Sequence, residues 1–138
     1  MVVVDTSVWI DYLNRIDTPE TVWLDRALGR QRLGLLDITL ADVLGCAPDN
    51  RQAADVERAL LKFELFETGG ADLASMVGGF ERALRRRGIT IRKATTCWVA
   101  TFCIVNNLAL LHSDRDFEPF EQFWAFSVVP AETSWNGS

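Results

Sequence analysis

The stretch "LLHSDRDF", residues 110 to 117, ends an apolar run on two aspartates that flank an arginine. Like charges that close repel, and aspartate disfavours strands, so the pair needs a reason. Two stand. Asp114 can open a turn while Asp116 caps the helical stretch "FEPFEQF". Alternatively, Asp114 and Asp116 belong to a set of carboxylates gathered around a divalent cation. Asp5, at the end of "VVVD", and Asp42, in "LADVLGC", are the further members of such a set. Four converging carboxylates destabilise one another unless a hard cation lies among them, and oxygen-only ligation suits Mg²⁺ or Mn²⁺ better than zinc. The single histidine, His112, argues against histidine-rich metal centres. "HSD" is also a poor source of a Ser-His-Asp triad, because neighbours in an extended strand point to opposite faces.

A second group of residues is basic. Between Glu81 and Thr95 lie Arg82, Arg85, Arg86, Arg87, Arg92 and Lys93, six of the chain's 14 basic residues, although the net charge is −5. A net acidic chain is not a generic nucleic-acid binder. The local excess is either a solvated helix end that complements the macrodipole or a phosphate-contacting patch. For Arg115 an ion pair with its flanking aspartates is favoured over a phosphate contact. Thr6 and Ser7 either orient water at a cation or cap a helix.

The elements that must position these side chains alternate between strand and helix. "VVV" is a buried strand, followed from about Ser7 by a helix with Trp9, Tyr12, Leu13 and Ile16 on one face. Thr18 and Pro19 open the next helix. "RLGLLDIT" holds a strand, with a helix from near Leu40 that Pro48 breaks. "RQAADVERALLKF" is amphipathic, with Ala54, Leu60 and Leu61 inward. "LFETGG" gives a short strand and turn, and a helix runs from about Asp72 to Arg87, closed by Gly88. "ATTCWVATFCIVNN" is a further buried helix, "LALLHS" a strand, and "FSVVP" the last strand. Repeated βα units imply an α/β fold with a mainly parallel central sheet flanked by helices. Asp5 and Asp114 then reach the carboxyl edge, where such sheets bind ligands.

The 138 residues, 49% of them hydrophobic, suit one domain over 1–130 with a frayed tail over 131–138. No apolar run is long enough for a bilayer, and "MVVVDTS" does not resemble a secretion signal. Cys46, Cys97 and Cys103, odd in number and without paired spacing, suggest buried thiols in a reducing cytoplasm. The tryptophans Trp9, Trp23 and Trp98 fit core or dimer packing better than base stacking.

"VVVDTSVWIDYL", "LADVLGC", "GITIRKATTCWVATFCI" and "LLHSDRDFEPF" resemble, in order and spacing, the successive motifs of PIN-domain ribonucleases, most of all the VapC toxins of bacterial toxin–antitoxin pairs. The resemblance implies a PIN-like fold and an endoribonuclease whose acids hold Mg²⁺ or Mn²⁺ and activate water against an RNA phosphodiester. It also implies a VapB-type antitoxin as partner and a homodimer. The positions it marks as catalytic are Asp5, Asp42, Asp114, Asp116 and Thr96. Of these, Asp5 and Asp114 match acids that hold the metal, and Asp116 is a supporting acid. Arg85, Arg86, Arg87, Arg92, Lys93 and Arg115 are the candidate RNA contacts. Two positions depart from the pattern: Asp42 stands where glutamate is usual, and Thr96 where aspartate is usual. Threonine is neutral and a poor ligand for magnesium, so the sequence leaves open two functions, a nuclease weakened at this position and a PIN-fold protein that binds antitoxin or RNA without cutting.

Overall fold

A computed structural model of the chain describes residues 1–130; the tail expected over 131–138 lies outside the described residues. Strand β1 (Val2–Val4) runs directly into helix α1 (Thr6–Leu13), followed by α2 (Pro19–Ala27), β2 (Leu33–Leu36), α3 (Asp37–Gly45) and α4 (Asn50–Leu60). After these come β3 (Glu64–Phe66), α5 (Ala71–Arg86), α6 (Ala94–Val105) and β4 (Ala109–Leu111). A 3₁₀ turn over Arg115–Phe117 leads into α7 (Glu118–Phe123). The strands form a parallel four-stranded sheet in the order β3-β2-β1-β4.

The period of two in β1 distributes its valines between two cores. Val2 and Val4 pack with Val8, Trp9, Leu24 and Leu60 of α1, α2 and α4. Val3 points the other way, to Leu84 of α5, Ala100 of α6 and Phe120 of α7. Helices therefore cover both faces, which is why the parallel strands are apolar throughout rather than alternating. In β2, Gly34 is a close-approach position: a Cβ there would stand 2.9 Å from the Phe66 ring.

Local chemistry accounts for the element ends. Thr18 caps α2 through the Thr21 amide, Thr21 returns the bond to the Thr18 N–H, and Pro19 fills the first turn. Gly88 ends α5 with φ +77°, and Asn107 follows α6 at φ 55°.

Several expectations change. α3 begins at Asp37, three residues before Leu40, because the Asp37 carboxylate accepts from the Ile38 N–H at 2.8 Å and from the Thr68 hydroxyl at 2.5 Å. That clamp joins the carboxyl ends of β2 and β3. "FSVVP" forms a single parallel bridge, Leu110 with Val128, instead of a strand. On α4, Leu60 faces inward, while Ala54 and Leu61 are exposed. Leu13 and Ile16 are exposed too, leaving Val8 and Trp9 as the buried face of α1. Trp9 and Trp23 are core residues and Trp98 packs half-buried against the second core.

Candidate active site

The sheet order places a reversal between β1 and β4: the chain steps outward from β1 to β2 to β3, then returns to the other side of β1. In open α/β sheets that reversal leaves a crevice beyond the carboxyl ends of the two strands. Asp5 follows β1 and Asp114 follows β4, so each stands on one side of it.

Asp5 is 6% exposed and caps α1. Its Oδ2 accepts from the Ser7 N–H at 3.0 Å and the Ser7 hydroxyl at 2.7 Å, which fixes the carboxylate rotamer. The Ser7 oxygen in turn accepts from the Ser113 N–H at 3.2 Å, tying the ends of β1 and β4 together. Burial raises the Asp5 carboxyl above its ordinary value of 3.8, although both Ser7 bonds and His112 oppose it. The capping alternative for Thr6 and Ser7 inverts: Asp5 is the cap, and Ser7 is its donor.

Asp114 is half-buried and caps the 3₁₀ turn, with Oδ1 accepting from the Asp116 N–H at 2.9 Å. The cap assigned to Asp116 thus belongs to Asp114. His112 is a bracket for this segment. Its Nδ1 accepts from the Asp114 N–H at 3.1 Å, so Nε2 carries the proton donated to Glu121, also at 3.1 Å.

A cleft of about 490 Å³ contains Asp5, Asp42, Asp114 and Thr96 together. Asp42 is half-buried on α3, and Thr96, third residue of α6, is 4% exposed. Arg92, Lys93 and Arg115 also line the cleft. Asp116 does not. It accepts from the Arg92 N–H at 3.3 Å and from Arg92 Nε at 3.4 Å. The ion pair expected from Arg115 is therefore made by Arg92, and Arg115 pairs with no acid among the described residues. Arg85, Arg86 and Arg87 are exposed and lie outside the cleft, with the Arg87 guanidinium 4.4 Å from the centre of the Phe123 ring.

Among the lining residues that sequence reasoning missed are Asp11 and Cys46. Helical spacing could have found both: Asp11 stands four residues after Ser7 on α1, and Cys46 four after Asp42 at the end of α3. Cys46 is exposed, against the expectation of buried thiols, whereas Cys97 and Cys103 are buried.

Asp5, Asp42 and Asp114 offer the hard oxygen donors that Mg²⁺ or Mn²⁺ prefers. Yet among the described residues no three His, Cys, Asp or Glu side chains converge closely enough to hold an ion. Carboxylates without a cation keep apart, Thr96 contributes no charge, and Asp42 is one methylene shorter than glutamate. The donor set suits an ion that retains several of its waters, as magnesium does.

No family model matches the chain. A VapC ribonuclease of Mycobacterium bovis and ribonuclease VapC11 of Mycobacterium tuberculosis are each 26% identical to it over 120 residues, 86% of this chain and 90% of theirs. The chain is thus similar in sequence to VapC ribonucleases over most of its length. Solved VapBC structures agree with it in fold. VapBC2 of Rickettsia felis, bound to a promoter DNA fragment, gives a TM-score of 0.73 at 15% identity, covering 94% of this chain and 98% of that one. DNA-bound VapBC of Salmonella typhimurium gives 0.72 at 16%, covering 93% and 96%. The PIN-like fold expected of a VapC chain is the fold observed. Among the described residues no helix is long and apolar enough to cross a membrane.

Proposed function

We propose that this chain is the toxin of a VapBC-type pair, an endoribonuclease that hydrolyses RNA phosphodiester bonds with Mg²⁺ or Mn²⁺ in the Asp5–Asp114 cleft. The observation that carries the reading is the delivery of acids from β1, α3 and β4 into one cleft at the sheet reversal. Asp5 and Asp114 would hold the cation, with Asp42 as a further oxygen donor in the same cleft. When bound, such a cation lowers the pKa of a water and neutralises charge developing on the phosphate. The chain's own residues do the rest. Ser7 locks the Asp5 carboxylate, while Arg92, Lys93 and Arg115 on the cleft wall attract and orient the phosphate. Homologous VapC proteins bear the name ribonuclease, and the VapBC complexes support a VapB-type antitoxin as partner. The toxin acts as a homodimer in the cytoplasm, where its RNA is.

Thr96 favours a second reading. A neutral, buried residue stands where a fourth acid would supply charge, so cation affinity and cleavage are weakened, and binding of antitoxin or RNA becomes the main activity. One assay separates the readings: cleavage of a labelled RNA by the wild type, by Thr96→Asp, and by Asp5→Asn added to Thr96→Asp, with Mn²⁺ or with EDTA. A nuclease gives cation-dependent cleavage that rises with Thr96→Asp and disappears with Asp5→Asn. A wild type that does not cut with Mn²⁺ while Thr96→Asp does supports the binding reading, and cleavage that survives both EDTA and Asp5→Asn refutes the proposed site.

A further inference from the structure

Beside the acid cleft lies a second space of about 290 Å³, and Arg92 alone lines both. Building on the ribonuclease reading, we infer that this groove receives the nucleotide flanking the scissile phosphate, and that Asp116 serves the substrate by positioning Arg92 on the shared wall.

The chemistry of the two spaces differs. The first gathers the carboxylates of Asp5, Asp42 and Asp114, with its basic residues on the wall. The second is lined by the apolar Leu84, Ile89 and Ile91 together with Arg85, Arg92 and Thr90. Its one acid is Glu81. Apolar side chains and planar cations in one groove suit a base and its phosphate, since a guanidinium both stacks and pairs with phosphate oxygens. The volume is at the lower end for ligand pockets, enough for one nucleotide and too small for a folded RNA.

Asp116 explains how Arg92 is held there. Its carboxylate, with the side chain 15% exposed, accepts from the Arg92 N–H and from Nε, whereas the Arg92 side chain is 78% exposed. Binding through Nε leaves the two Nη groups available for a phosphate. The turn that carries Asp116 is capped by Asp114 of the cleft, so one short segment, 114–116, sets both spaces. As a stability device the pair is worth little, because exposed ion pairs contribute at most about 1 kcal/mol.

This role makes a prediction of unusual sign. Deleting a negative charge beside an RNA-binding surface should strengthen binding by simple Coulomb attraction. A positioning role demands that Asp116→Ala weaken it. The test is fluorescence anisotropy of the full chain with a fluorescein-labelled single-stranded RNA octamer in EDTA, over a salt series. Arg85→Gln and Arg92→Gln should each weaken binding about three- to tenfold and flatten the slope of log affinity against log salt by about 0.7, one phosphate contact on a single strand. Asp116→Ala should weaken it comparably, and in the Arg92→Gln background should add less than about twofold, as expected for residues acting as one unit. Arg85 is fully on the surface, so its variant keeps the test valid should Asp116→Ala fail to fold. Wild-type binding with Arg85→Gln unchanged, or with a folded Asp116→Ala equal or tighter, overturns the inference alone. A wild type that does not bind the octamer overturns the inference too, while the ribonuclease reading is judged separately by the Mn²⁺ cleavage assay.

Discussion

Replacing Thr96 by aspartate adds a carboxylate to a cleft that already holds Asp5, Asp42 and Asp114. The residue is 4% exposed, so solvent screens the new charge poorly. Two unit charges about 4 Å apart repel by about 4 kcal/mol at an effective dielectric near 20. The carboxyl can escape by protonating, which at pH 7 costs about 1.4 kcal/mol per unit above its ordinary pKa, again about 4 kcal/mol. Those two routes bound the destabilisation of the cation-free protein from above. Position works the other way, since Thr96 is the third residue of α6 and an acid in a first turn gains about 0.3–1 kcal/mol. A net loss of about 1–3 kcal/mol follows, a fall in Tm of about 4–10 °C for a chain of this size. Saturating cation, at about 100 times its Kd, returns about 2.7 kcal/mol. Thermal unfolding by circular dichroism should therefore show Thr96→Asp melting below wild type in EDTA and recovering through a Mn²⁺ series, more steeply than wild type. Thr96→Asn, neutral and of similar size, should follow the wild-type cation response. Equal melting of Thr96→Asp and wild type in EDTA, with equal Mn²⁺ shifts, would refute the electrostatic reasoning.

Asp5→Asn keeps an acceptor for Ser7 and removes a buried charge. Because burial raises the Asp5 pKa, native protein binds the proton more readily than unfolded chain, and wild-type stability falls as pH rises through the raised value. The variant should thus be the more stable form at pH 7 without cation, with its advantage vanishing below the ordinary pKa of 3.8; denaturant melts at both pH values check this. Burial pushes the Cys97 and Cys103 thiols up to about 12, while Cys46 is exposed, so alkylation at pH 8 followed by mass spectrometry should label Cys46 alone until the protein is denatured. Light scattering at micromolar concentration should give the mass of a homodimer that persists in high salt; a monomer mass contradicts that part of the proposal.

What the sequence made legible was local. Asp5 directly after a valine strand, Thr18 before Pro19, and Gly88 closing α5 are each decided within a turn of their own position, and each element sits where its chemistry indicates. The alternation of strand and helix was enough to bring Asp5 and Asp114 to the same sheet edge. Partner choice was not legible. Arg115 is next to Asp116 in sequence, yet Arg92, 24 residues away, makes the pair, because the 3₁₀ turn directs adjacent side chains apart. The start of α3 was missed for the same reason: Asp37 is fixed by Thr68, 31 residues on. "FSVVP" has strand composition, but its backbone meets β4 at one bridge only, and composition does not report how far a segment stays alongside its neighbour. The inward set on α4 failed at Ala54 and Leu61 because its apolar residues outnumber the positions that face the core.

Calorimetric titration of Mn²⁺ into the purified chain tests the central claim most directly, since it reads the cation site without RNA, antitoxin or turnover. The account predicts one site per chain that is lost in Asp5→Asn and tightened about tenfold to a hundredfold in Thr96→Asp, the scale on which even outer-shell changes alter metal affinity. Binding of equal strength in wild type, Asp5→Asn and Thr96→Asp would place the cation outside this cleft and contradict the account.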